Sequence, residues 1–155
     1  AKTVENNNRV DYIARNSDII RGYMVHLIDE DVKCRGPLRM AKKEGDARKI
    51  EACRQTALSI CTEIINMMSQ LIDMAKELSA ICPADALCYA AEGTELALAA
   101  VKITRMYIVS MASKSPDETY RYVTRRENEL TLEACSAAAA EVTAKAEESL
   151  QTVHD

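Results

Sequence analysis

Residues 50–78 read IEACRQTALSICTEIINMMSQLIDMAKEL, and this stretch decides the fold. Ile50, Cys53, Ala57, Ile60, Ile64, Met68, Leu71, Ala75 and Leu78 recur at three- and four-residue steps. Arg54, Gln55, Ser59, Glu63, Asn66 and Asp73 fall off the centre of that stripe. The period is that of a helix with one face against a core. With Asp46 as N-cap, the pattern predicts a helix over 46–80, about 50 Å long at ~1.5 Å per residue. That length suits a bundle better than a compact globule. Each large apolar member contributes roughly 1.5–3 kcal/mol on burial, so the methionines on the stripe read as core.

Working outward, three breaks divide the chain: Arg35-Gly36-Pro37 through Gly45, Cys82-Pro83, and Ser113-Lys114-Ser115-Pro116. They predict a first helix over 10–34, a third opening with Pro83 in its first turn, and a fourth capped by Ser115 with Pro116 and Glu118. The 155 residues then form one domain, 1–155. The composition agrees, because Trp and Phe are absent, aromatics are 4%, and only 4 Gly and 3 Pro supply turns. Strands and their hairpins draw on the residues that are missing. The expected fold class is all-α: an antiparallel bundle of four long helices.

A formal net charge of −4 and a basic segment without interleaved aromatics argue against nucleic acid as partner. No run of 18 apolar residues exists to span a membrane. The first residues, Ala1 to Asn8, lack both an initiator Met and the apolar core of a signal peptide, so an upstream segment removed by processing or truncation is one reading of this start. The six cysteines, Cys34, Cys53, Cys61, Cys82, Cys88 and Cys135, form no CxxC pair and mostly occupy apolar helical positions. They read as free thiols of a cytoplasmic protein.

On the third helix, Ala86, Ala90, Gly93, Ala97, Ala100 and Thr104 form a ridge of small residues. Gly93 costs about 1 kcal/mol of helix propensity against Ala, and close packing or a bound ligand is the motive that would justify it. The ridge is the expected face for a homodimer. On the fourth helix Val123, Leu130, Ala134 and Ala137 share a face, with Glu127 and Glu141 near it, which predicts one-sided packing and a fraying tail past Ala144.

The residues that break pattern lie in His26-Leu27-Ile28-Asp29-Glu30-Asp31. With Ile20 as origin and about 100° per residue, Ile13, Met24, Leu27 and Asp31 all fall within about 40° of it. Asp29 points the opposite way. A carboxylate at the centre of an apolar face is costly unless it is protonated, paired or lining a wet pocket. Desolvation would favour its protonated form, which suits proton transfer. The alternative is that the helix has ended by Asp31 and the three acids are a solvated charge run.

Metal chemistry finds no support, since di-iron bundles need Glu-x-x-His motifs and neither His26 nor His154 has Glu three positions before it. Cys82 and Cys88 are too far apart in sequence for a zinc pair, and no nucleophile-elbow motif is present. The segment holding Lys33, Arg35, Arg39, Lys42, Lys43, Arg48 and Lys49 reads as a solvated basic loop or as a docking patch for a polyanionic small molecule.

From Leu27-Ile28-Asp29-Glu30-Asp31 onward the sequence resembles the formiminotetrahydrofolate cyclodeaminase and methenyltetrahydrofolate cyclohydrolase family. The order of motifs is kept: Tyr12, the Asp-Glu-Asp cluster, Arg54-Gln55-Thr56-Ala57, then Ala84-Asp85-Ala86 opening an Ala-rich helix. The likeness runs over residues 10–150. Family members begin with a Gly-rich turn and helix that this sequence does not contain, and beside them it looks short at its N-terminus. Ala84 stands where they carry Ser, and Cys34 and Arg35 stand near the place of an aromatic.

The resemblance implies ring closure of 5-formiminotetrahydrofolate to 5,10-methenyltetrahydrofolate with release of ammonia. Asp31 would be the catalytic acid, with Asp29 supporting it. Asp85, like Asp29, would be a supporting acid or a pterin contact, and Arg39, Lys42 and Lys43 would hold the glutamate tail. A tetrahydrofolate derivative would be the substrate, and no metal is implied. The competing expectation is a non-catalytic bundle subunit that binds a protein partner through its small-residue face.

Overall fold

In the computed structural model, residues 2–151 are described, and they form four helices with no strand among them. The helices are α1 (Lys2–Glu44), α2 (Ala47–Leu78), α3 (Ala84–Ala112) and α4 (Glu118–Gln151). Each runs antiparallel to its predecessor. Arg9 Nε donates to Glu77 at 2.6 Å and Tyr23 donates to Glu63, pinning α1 against α2. Thr143 donates to Glu95 at 3.1 Å, and Arg105 faces Glu129 at 3.8 Å, which orders α4 along α3. Helix α2 is the hub: its backbone runs close to all three others, whereas among the described residues the backbone of α1 runs close to α2 alone.

Three expectations are corrected. Helix α1 does not end before Asp31 or at Gly36-Pro37; it runs 43 residues to Glu44 with Pro37 inside it. Pro37 leaves the Lys33 carbonyl without its helical donor, but both residues are exposed, so water satisfies that oxygen. Buried Ala41 and half-buried Leu38 hold the following turns against α2. The real break is Gly45, whose φ of +70° reverses the chain, followed by Asp46, whose carboxylate accepts from Lys49 N–H at 3.0 Å. The basic segment is therefore no loop. Lys33, Arg35, Arg39, Lys42 and Lys43 stand on α1, and Arg48 and Lys49 open α2.

The second correction concerns α4. Val123, Leu130, Ala134 and Ala137 are exposed, and the core face is Cys135, Ala138, Ala139, Val142 and Ala146. The small residues there bring α4 close to α2 and α3, and buried Ala146 holds helical the tail that was expected to fray. Ahead of the helix the cap is Asp117, which accepts from Tyr120 N–H at 3.0 Å; Ser115 only accepts from Asp117 N–H at 3.3 Å. Pro116 thus precedes the helix rather than opening it. Pro83 likewise occupies the N-cap of α3, one position before its first turn.

The third concerns breadth of burial. The α2 stripe holds, with Ala57, Ile60 and Met68 buried, but Leu58, Cys61, Ile65 and Ile72 beside it are buried as well. A helix with three neighbours needs a wider apolar arc than one stripe supplies. Two core clusters result. One gathers Met68, Ile72, Leu98, Val101 and Ala139, and the other Leu58, Cys61, Ile65, Ile108 and Met111. On α3, Ala90 and Ala97 are buried within the chain, whereas Gly93 is exposed and a methyl there would meet no atom within 4 Å. Gly93 therefore serves no close approach inside the chain.

Candidate functional site

Asp31 sits on the inner face of α1, in line with buried Ile20 and Leu27 and half-buried Met24, as the helical wheel predicts. Its side chain keeps 26% exposure and forms an ion pair with Arg35, one turn along. Cys34 donates to the Asp31 carbonyl at 3.2 Å. The carboxylate that looked unpaired in sequence thus has a partner, the arrangement that makes a charge tolerable on a packed face.

From α2, Cys61 lies in the core cluster against which Cys34 packs, and Tyr107 of α3 lies within electrostatic range of Asp31. Burial pushes the Cys61 thiol up to about 11, with the Asp31 charge adding to it. Burial also raises Cys34, helped by Asp31, and raises Tyr107, helped by Cys61 and Asp31. Three acids of different elements register the same carboxylate, so they converge on one place. They are all held in their neutral, proton-bearing form at neutral pH.

Next to this cluster a cleft of about 220 Å³ opens between α1 and α3, over the first turns of α2. Leu38, Lys42, Arg54, Tyr107, Met111 and Lys114 are among its walls. Arg54 is engaged by Glu51; no partner is seen for Lys42 or Lys114 among the described residues. Three cations around one small cleft make an anion seat. Tyr107 lines the cleft and also feels the Asp31 charge, whereas Asp31 itself lies two turns along α1 from Leu38 and does not line it.

The other sequence-predicted residues are placed differently. Asp29 is exposed, on the far side of α1 from Asp31. Arg39 and Lys43 are exposed and do not line the cleft that Lys42 enters. Asp85 lies in the first turn of α3, lining a separate cleft of about 410 Å³ with Cys88 and Leu150. From Asp85 to Tyr107 is 22 residues of continuous helix, roughly 33 Å at 1.5 Å per residue. One chain does not bring Asp85 to Asp31.

Arg54, Tyr107 and Lys114 are the participants that sequence reasoning missed. Tyr107 had a signal, since it continues the Gly93–Ala100 spacing at the next turns; Lys114 lay in a presumed loop and had none. A larger cleft, about 580 Å³, lies on the α4 side of α2 and holds none of the predicted residues. Leu58, Ile65 and Ile108 form its floor, and Asn66, Asn128 and Glu127 its polar rim, without a cation. Among the described residues no three His, Cys, Asp or Glu side chains gather as metal ligands, and His154 lies outside those residues. No described helix is long and apolar enough to cross a membrane.

The four-helix arrangement is similar to that of formiminotetrahydrofolate cyclodeaminase from Thermotoga maritima. The TM-score is 0.77 at 16% identity, over 84% of this chain and 66% of that one. The chain thus spans just under two thirds of the length of that enzyme. At this identity the likeness establishes a shared fold. No family model matches the sequence, and no curated protein matches it.

Proposed function

We propose that the protein is a cyclodeaminase-like folate protein that closes 5-formiminotetrahydrofolate to 5,10-methenyltetrahydrofolate and releases ammonia. The observation that carries this reading is Asp31, a partly buried carboxylate two turns along α1 from the cationic cleft of Lys42, Arg54 and Lys114, in a fold shared with a folate cyclodeaminase. The folate N10 lone pair attacks the formimino carbon, and the electrons of the carbon–nitrogen double bond move onto the formimino nitrogen. N10 gives up its proton, and the formimino nitrogen, having taken up two, leaves as ammonia with the electrons of its bond to carbon, the positive charge being delocalised over N5, the bridging carbon and N10. A positioned acid and a carboxylate near the emerging cation both lower the barrier.

Asp31 fills the second role as it stands. To fill the first it must be released from Arg35, and an anionic glutamate tail in the cleft offers Arg35 another partner. Lys42 is the tail contact that the cleft favours, with Arg39 and Lys43 as outer contacts. Asp29 supports from the exposed side. The protein works as a homodimer in the cytoplasm, joined through the small-residue face of α3, and the chemistry asks for no metal.

Incubation with 5-formiminotetrahydrofolate, followed by methenyl absorbance, tests the reading. Turnover lost in Asp31→Asn and weakened in Lys42→Glu is expected. Absence of both turnover and a folate-induced thermal shift in the unmodified protein would remove it. A second reading, a non-catalytic bundle that binds a protein partner, is favoured by one observation: Leu96 and Ile103 on α3 are 74% and 67% exposed.

A further inference from the structure

One face of α4 changes character half-way along the helix. Its buried members are Cys135, Ala138, Ala139, Val142 and Ala146, and α4 buries no residue before Cys135. Continued toward the N-terminus at ~100° per residue, the same face holds Thr131, Asn128 and Thr124, all within about 40° of Cys135, with Glu127 at its edge. The apolar stripe has become a polar one. On α2 the residues that face this polar stretch include Thr62 and Asn66, so both walls are polar there. Bundle helices meet through apolar side chains, and a buried polar group left without a partner costs about 1–3 kcal/mol. The two helices are accordingly tied only further along, by Ser69 with Cys135 at 3.3 Å and Lys76 with Glu141 at 3.0 Å. Among the described residues no hydrogen bond joins 58–66 to 120–131, and the cleft of about 580 Å³ lies in that stretch. Small-molecule sites occupy roughly 300–1,000 Å³.

The hydrogen bonds of the walls decide what such a cleft can hold. Thr62 and Thr131 donate their hydroxyl protons to the carbonyls of Leu58 and Glu127, at 2.9 and 3.0 Å. Asn128 donates an amide proton to the Thr124 carbonyl at 2.8 Å. What these side chains keep for a ligand is chiefly oxygen: hydroxyl lone pairs and the Asn128 amide carbonyl. Glu127 adds a carboxylate, and among the described residues no Lys or Arg lines the cleft. The neighbouring cations are engaged elsewhere, Arg105 and Arg126 toward Glu129 at 3.8 and 3.7 Å, and Arg121 on the Ser115 carbonyl at 2.6 Å. An acceptor-rich wall with one negative charge suits a group that carries several N–H bonds and a positive charge. Buried Leu58, Ile65 and Ile108 form an apolar base, and the Tyr120 ring adds a face that favours cations.

We infer that the α2–α4 cleft binds a small organic monoamine in its ammonium form. The ammonium group sits at Glu127, Asn128 and Thr131, and the apolar body lies over Leu58, Ile65 and Ile108 toward Tyr120. This site shares no residue with the cationic cleft beside Tyr107, and its charge preference is the opposite one. It goes beyond the folate reading and does not rest on it.

Titration of the ¹⁵N-labelled full chain with hexylamine, 2-phenylethylamine and tryptamine, all protonated at neutral pH, tests the inference. Amide shifts centred on residues 58–66, 108 and 120–131 are expected. The neutral 2-phenylethanol and the anionic 3-phenylpropionate, close in shape to 2-phenylethylamine, are expected to bind at least tenfold more weakly than it. Glu127→Gln, at an exposed position, is expected to weaken the amine roughly tenfold and to leave the alcohol unchanged. Thr124→Lys, which sets a cation in the cleft, is expected to abolish amine binding with the helical circular dichroism intact. Shifts with none of the three amines, or shifts centred elsewhere, would overturn the inference. So would equal affinity for the alcohol or the carboxylate, or an amine affinity indifferent to Glu127. No arm of the test uses folate, so amine binding and turnover succeed or fail separately.

Discussion

Replacing Pro37 by Ala tests the continuity of α1, on which the position of the cationic cleft depends. Proline in a helix interior is about 3 kcal/mol less favourable than alanine, through its missing N–H and its clash with the preceding turn. In α1 the affected acceptor is the Lys33 carbonyl, and both positions are exposed, so the substitution opens no cavity and meets no neighbour. An alanine restores one helical hydrogen bond. Part of the gain is offset because water already satisfies that carbonyl, which leaves roughly 2–3 kcal/mol. Unfolding entropy near 2.1 cal/mol/K per residue gives about 0.33 kcal/mol/K for 155 residues. The melting temperature should therefore rise by roughly 6–9 °C. Gly36→Ala, worth about 1 kcal/mol, should raise it by roughly 3 °C. Thermal melts followed at the helical circular dichroism band measure both. An unchanged or lowered melting temperature in Pro37→Ala would refute the reasoning, because it would mean that residues 36–44 leave the helix in the native state.

Ile72 is fully buried between α2, α3 and α4, so Ile72→Ala should cost about 2–5 kcal/mol, read as a lower urea midpoint at constant slope. Asp117→Ala removes the α4 cap and should cost about 1 kcal/mol, with Ser115→Ala costing clearly less; equal effects would return the cap to Ser115. Raised pH should destabilise the fold. The thiol of Cys61 ionises near its ordinary pKa of 9.0 in the unfolded chain but only at about 11 when folded, so the unfolded state loses its proton first. The stability present below pH 9 is then lost as pH rises toward 11, and Cys34, Cys82 and Tyr107, raised in the same direction, act together with it. Melts from pH 8 to 11 should show the decline, and Cys61→Ala should flatten it.

Periodicity exposed the fold class because burial writes itself into spacing. Ile13, Ile20, Leu27 and Asp31 on α1, and the α2 stripe, face where their wheel positions put them. Punctuation was less legible. Gly36-Pro37 looks like a break, yet it is overridden by the packing of Leu38 and Ala41, a tertiary effect that no local rule contains. On α4 the misleading residues were large: Val123 and Leu130 outrank alanine in hydrophobicity, but the helix turns Ala138 and Ala139 inward because close approach to α2 and α3 favours small side chains. Within the site, Asp31 was legible as an anomaly in a pattern. Its partners Tyr107 and Arg54 were not, because they arrive from helices whose phase relative to α1 depends on the bundle's assembly.

That the backbone of α1 runs close to α2 and to no other described helix governs how the molecule comes apart. A helix with one neighbour has the lowest free energy of detachment, so native-state hydrogen exchange should proceed through α1 opening as a unit while α2, α3 and α4 stay closed. Asp31, Arg35 and Lys42 ride on that helix, whereas Arg54 and Tyr107 stay behind on the three-helix remainder. The candidate site should thus open together with α1, and whatever fills the cleft acts as a clasp that holds the outer helix shut.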